Sequence, residues 1–155
     1  MFQPGDMVAY PMHGAGVIEA IEEKEILGAV ASYYVLRVGG IKAMVPVEGE
    51  ASGLRPIIDT QESEKVLAFL TGDSDEQCQN WNRRYRENLE KMRTGDIYQV
   101  ADVVRCLMQR EREKGLSTGE RKMLLKAQHI LSSELMLSLS LTQEQVMEMI
   151  EQNVQ

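Results

Sequence analysis

Ser117 stands in Gly115-Leu-Ser-Thr-Gly119, which matches the G-x-S-x-G pattern of a serine nucleophile. A nucleophile elbow needs a strand before the serine, yet the residues before Ser117 have a helical period. A base would have to be His13 or His129, and neither lies in a motif. Ser117 is better used as a helix N-cap, because Ser-Thr-Gly-Glu has capping-box spacing; Glu120 is then expected to reach back to the Ser117 amide. Glu22 and Glu23 fall on strand positions open to water. Cys78 and Cys106 are not in a C-x-x-C pair, and two histidines complete no zinc set, so free thiols, no metal and no cofactor are expected. "HGAG", residues 13 to 16, lacks a P-loop lysine and a following helix, and its glycines are expected to turn the chain. These residues predict no enzyme.

The other notable residue is the single tryptophan, in "QNWNRRYREN" (79–88). On a helix beginning near Gln77, Trp81, Tyr85, Leu89 and Met92 form one stripe, and spacing alone favours a core position for Trp81. Its place in the first turn, among Arg83, Arg84 and Arg86, favours the opposite: an aromatic tip set in a basic surface. Arg93 shares that helix, while Arg121, Lys122 and Lys126 open another. Guanidinium groups and helix N-termini suit phosphate oxygens, and a protruding aromatic beside them can wedge against a base step.

Two kinds of element must position these residues. From 6 to 58, "DMVAY", "GVIEAIEEKEI", "SYYVLRV" and "KAMVPV" are rich in β-branched and aromatic residues and are broken by glycines, as short antiparallel strands are. So few strands predict a small bent barrel of the SH3 or Tudor kind. From Glu62 the period becomes helical: a short helix in "ESEKVLAFL", then helices over about 77–93, about 96–114 and from Ser117, with a terminal helix opened by Thr142 to Gln145. The fold class is thus α+β, two small domains: a Tudor/SH3-like antiparallel β-barrel over 1–60, a short helix and acidic linker over 61–76, and an α-helical bundle over 77–155. Charge follows the same division. Residues 1–76 carry 5 Lys/Arg against 13 Asp/Glu, 77–137 carry 12 against 8, and 138–155 carry three glutamates and no base. An acidic half joined to a basic one suggests two jobs. "MFQPGDMVAY" has no signal-peptide core and no run reaches the length of a membrane span, so a cytoplasmic protein is expected.

The residues carry a resemblance. "FQPGDMVAYPMHGAGVIEAIEEKEILG", "YYVLRV", "VPVE" and "GLRPI" resemble the RNA-polymerase-interacting module of the CarD-like transcription regulators. "NWNRRYRENLEKMRTGDIYQVADVVRCLMQREREKGLSTGERKML", followed after Leu125 by "KAQHILSSEL", resembles their helical C-terminal domain. Transcription-repair coupling factor carries the same first module but follows it with a helicase. The resemblance covers about residues 2 to 137 and implies a module docked on the β subunit of bacterial RNA polymerase. It also implies a helical domain at the upstream edge of the transcription bubble, where an exposed Trp wedges into the minor groove. Trp81 matches that wedge within W-x-R-R-Y; Arg86, Arg121 and Lys122 match basic DNA-facing positions. Lys24 and Ile26 match positions used against the β subunit, while Met44 stands where some members carry a basic residue, so that charged contact is missing or replaced. The implied protein stabilises the open promoter complex; the charge balance predicts that it holds DNA weakly on its own, and a monomer with no membrane partner is expected. Two other readings remain: an adaptor whose Trp81 is core, and a reader of methylated side chains, which would need Tyr10, Tyr33 and Tyr34 to converge in a cage.

Overall fold

The computed structural model describes residues 2–48, 53–72 and 80–154. Five antiparallel strands form one sheet: β1 (Met7–Tyr10), β2 (Gly14–Ile26), β3 (Ala29–Val38), β4 (Ile41–Pro46) and β5 (Arg55–Pro56), in the order β4-β3-β2-β1-β5. Val8, Ile18, Tyr34, Leu36, Val38 and Val45 make its buried core. The β2–β3 hairpin turns through Leu27 and Gly28, both at positive φ, the geometry whose twist matches that of the flanking strands.

The sheet is not closed, which corrects the expected barrel. The last strand has two residues, one of them Pro56 without an amide hydrogen, and it pairs only with β1. A register shift between Ile18 and Ala20 bends β2, so the sheet curves while β4 and β5 remain its edges. The glycines of "HGAG" do more than turn the chain. A Cβ on Gly14 would lie 2.7 Å from Ser133 Oγ, and one on Gly16 would lie 2.0 Å from the Arg37 carbonyl oxygen. They let β2 approach a helix on one side and its own partner strand on the other.

That helix is α4 (Thr118–Leu139). It follows α1 (Thr60–Phe69), α2 (Trp81–Arg93) and α3 (Ile97–Glu113), and precedes α5 (Gln143–Asn153). Each begins at a polar N-cap: Asp59, Asn80, Asp96, Ser117 and Thr142 accept from amides two or three residues on. Gly95 and Gly115, at φ of 76° and 79°, follow the ends of α2 and α3. Val66, Leu67 and Leu70 of α1 and the turn after it share one core with Val104, Leu107, Leu131 and Leu135, so the short helix packs as part of the bundle. Val146 and Ile150 bring α5 into the same core. The expected acidic linker over 73–76 lies outside the described residues, as does Cys78; Cys106 is buried.

Candidate nucleic-acid interface

Trp81 is the first residue of α2 and is 41% exposed. The stripe it heads runs from buried Met92 through half-buried Leu89 and Tyr85 to this open end, so the stripe forms but Trp81 does not take the core position that spacing alone favours. One indole face stacks on Tyr85 at 5.1 Å between centroids and 20° between planes. Its Nε1 donates to Ser117 Oγ at 2.9 Å, and Gly119 lies against its edge, where a Cβ would come 3.4 Å from Cζ2. The first residue of α2 therefore rests on the first turn of α4, and two helix N-termini meet beneath the ring. Both place partial positive charge there.

Arg84 departs from expectation. Its side chain is 3% exposed, with Nε and Nη2 donating to Glu120 at 2.9 and 3.2 Å. Three positions after Trp81 on the same helix, it faces the bundle and cannot reach a phosphate. Glu120 is corrected with it. The Ser117 hydroxyl accepts from the Glu120 amide at 3.2 Å, but the carboxylate turns to Arg84 instead of closing the capping box; the box at Thr142 does close.

Burial pushes the Glu120 carboxyl up, but the hydrogen bond and charge of Arg84, with Arg110 and Ser117 helping, outweigh it and hold the group below its usual 4.5. A depressed carboxylate contributes stability above its unfolded value and loses it as pH falls through the folded one. Glu120→Gln is thus expected to flatten the fall in melting temperature below about pH 4.5. An unchanged slope between pH 5 and 3 would show that the pair does not drive acid unfolding.

The remaining cations differ in how free they are. Lys122 and Lys126 are exposed, three and seven residues after Gly119, and continue the strip on α4 that the indole covers. Arg86 is exposed on α2. Arg83 donates to Glu87 at 3.1 Å, and both line a shallow depression with Arg86, Glu90 and Lys91, which dilutes the positive charge there. Arg121, on the other side of α4 from Gly119, lies 3.8 Å from Glu111 of α3. Trp81, Lys122 and Lys126 thus share one surface with Arg86 at its flank, while Arg83 and Arg121 are partly neutralised beside it.

The second candidate surface is on the sheet. Lys24, Ile26 and Met44 stand opposite or beside Ala31, Ala29 and Val35 of β3, which share one face, away from Tyr34 and Leu36. All three side chains are exposed. Lys24 and Met44 are separated by four residues of register, about 13 Å, so they define a strip on the outer face. Ile26 lies at the hairpin end beside exposed Leu27 and Val30. An aromatic cage does not form: Tyr34 is buried with its hydroxyl accepting from the Phe2 amide, and Tyr10 stacks on His13.

Comparison with known proteins bears on both surfaces. Residues 2–58 match the family described as "CarD-like/TRCF RID domain", and residues 65–151 match "CarD, C-terminal domain". A Bacillus subtilis (strain 168) protein named "Putative transcription factor YdeB" is 42% identical over 150 residues, covering 94% of this chain and 97% of that one. The chain belongs to the CarD-like family. The CarD-like match runs into α5, to residue 151, past the limit near residue 137 set by the quoted motifs. Ser117, Gly119 and Tyr85, which set the position of Trp81, were not expected as site residues in this CarD-like chain. No local signal marks them, because capping already accounts for Ser117 and the contact spans 36 residues. Among the described residues no cluster of His, Cys, Asp or Glu could hold a metal, and no helix is long and apolar enough to cross a membrane.

Proposed function

We propose that this chain is a non-enzymatic regulator of transcription initiation. Its sheet module docks on the β subunit of bacterial RNA polymerase through the outer-face strip of Lys24, Ile26 and Met44. Its helical domain holds the upstream edge of the promoter bubble with Trp81, and Arg86, Lys122 and Lys126 meet the flanking phosphates. The observation that carries this reading is the half-exposed indole, anchored on two helix N-termini beside the exposed Lys122 and Lys126. Family membership and the name of the Bacillus relative support it.

The charge explains the division of labour. A handful of phosphate contacts on a chain of net charge −7 gives weak, salt-sensitive DNA binding. Docking on polymerase raises the local concentration of the helical domain at the promoter, so weak binding suffices. A fork junction is recognised by shape and ease of deformation, and an apolar wedge needs no base-edge hydrogen bonds.

The test is the lifetime of a promoter open complex formed by the cognate holoenzyme. Wild type is expected to lengthen it. Trp81→Ala is expected to lose most of that gain while keeping its fold and its affinity for the β subunit, since the ring is a surface group. No lengthening by wild type together with no affinity for the β subunit would leave the adaptor reading in its place.

A further inference from the structure

The Trp81 ring is held on three sides before any DNA arrives. Tyr85 covers one face, Gly119 of α4 meets its edge, and Ser117 Oγ takes its N–H. That hydroxyl has no capacity left over. It accepts from Trp81 Nε1 at 2.9 Å and from the Glu120 amide at 3.2 Å, and donates to Glu120 Oε1 at 3.3 Å. One hydrogen and two lone pairs are all a serine has, so its direction is fixed. The Glu120 carboxylate is fixed in turn by the buried Arg84 guanidinium. A chain of hydrogen bonds therefore runs from the exposed indole into the interior, and it starts and ends on α2.

We propose that Ser117 is a positioning residue for Trp81, holding the indole so that it offers one open face to nucleic acid. This rests on the reading of Trp81 as the DNA wedge. Held this way, the ring stacks on a single base or sugar and reads no base edge, because its only donor is engaged within the chain. Fixing the ring beforehand removes the entropy cost of ordering it on binding.

Capping and positioning can be separated at this residue. Glycine is an acceptable N-cap, only slightly worse than serine, but has no hydroxyl. Threonine keeps both functions. The experiment compares wild type, Ser117→Gly and Ser117→Thr as full chains. Trp81 is the sole tryptophan, so time-resolved fluorescence anisotropy of the free protein reports its motion directly. The open-complex lifetime with holoenzyme is read alongside.

Ser117→Gly is expected to keep its helix content, to gain a fast component of indole rotation, and to give about a fivefold smaller lengthening of the lifetime, a hydrogen bond's worth. Ser117→Thr is expected to restore both. An indole as immobile in Ser117→Gly as in wild type overturns the proposal, whatever the lifetime does. If wild type does not lengthen the lifetime, the wedge reading fails, and the anisotropy still decides whether Ser117 positions the ring.

Discussion

Arg84→Ala is expected to destabilise the helical domain by about 3–5 kcal/mol, the usual result of removing one partner from a buried ion pair. Glu120 would keep the Ser117 hydroxyl but would lose both guanidinium contacts in a site where its side chain is 3% exposed. An unpaired carboxylate there must take a proton or draw in water. For a domain of this size the melting temperature should fall by roughly 12–40 °C. Removing both charges should be far milder, so Arg84→Met with Glu120→Leu is expected to recover most of the loss. Chemical denaturation of the single and double variants checks this; a cost under about 1 kcal/mol for Arg84→Ala, the value of a surface pair, would show that the bridge is open to water. The same substitution is uninformative about DNA contact, since a guanidinium turned inward offers nothing to phosphate.

Arg84 also shows where sequence reasoning stops. The period of α2 was legible from Trp81, Tyr85, Leu89 and Met92, because apolar side chains announce their face. Arg84 lies on the same arc at three residues from Trp81, but an arginine is assigned to water unless its partner is known, and Glu120 is 36 residues away. Several helix ends were legible for a local reason: the capping Ser117 and Thr142 and the terminal Gly95 and Gly115 act within a turn of the end they mark, whereas the helix expected to begin near Gln77 starts at Trp81, after the Asn80 cap. Closure of the sheet was not legible. It depends on whether β4 meets β5, and nothing within "KAMVPV" or "GLRPI" encodes that long-range event. The "HGAG" glycines looked like turn residues; their close approach to Ser133 and to the Arg37 carbonyl is tertiary. The open position of Trp81 at the start of its helix was legible, while its support was not, because a serine that caps a helix gives no sign that it also takes an indole N–H.

Arg55→Ala is expected to cost about 3–5 kcal/mol as well, but at the seam between sheet and bundle. Arg55, on β5, donates from Nη1 and Nη2 to Glu134 of α4 at 2.6 and 2.8 Å, and from Nε to the Gly95 carbonyl at 2.8 Å. Glu134 also accepts from the Ile58 amide. The pair is lopsided: Glu134 is 2% exposed and Arg55 31%. Removing Arg55 strands a buried carboxylate, whereas removing Glu134 leaves a guanidinium that can turn to water, so Glu134→Ala should cost less, about 2–3 kcal/mol. Equilibrium unfolding of both variants tests this order, and an inverted order would place the burial on the wrong partner. The seam also joins the two proposed contacts. The outer-face strip belongs to the sheet and Trp81 to the bundle, which the bond from Arg55 to Glu134 helps to join, so docking at one helps the other most when the joint is stiff. At a temperature where Arg55→Ala remains folded, it is expected to bind the β subunit like wild type yet lengthen the open-complex lifetime less. Equal lengthening would mean that the helical domain finds the bubble edge from a flexible tether, and that the bidentate bridge serves stability alone.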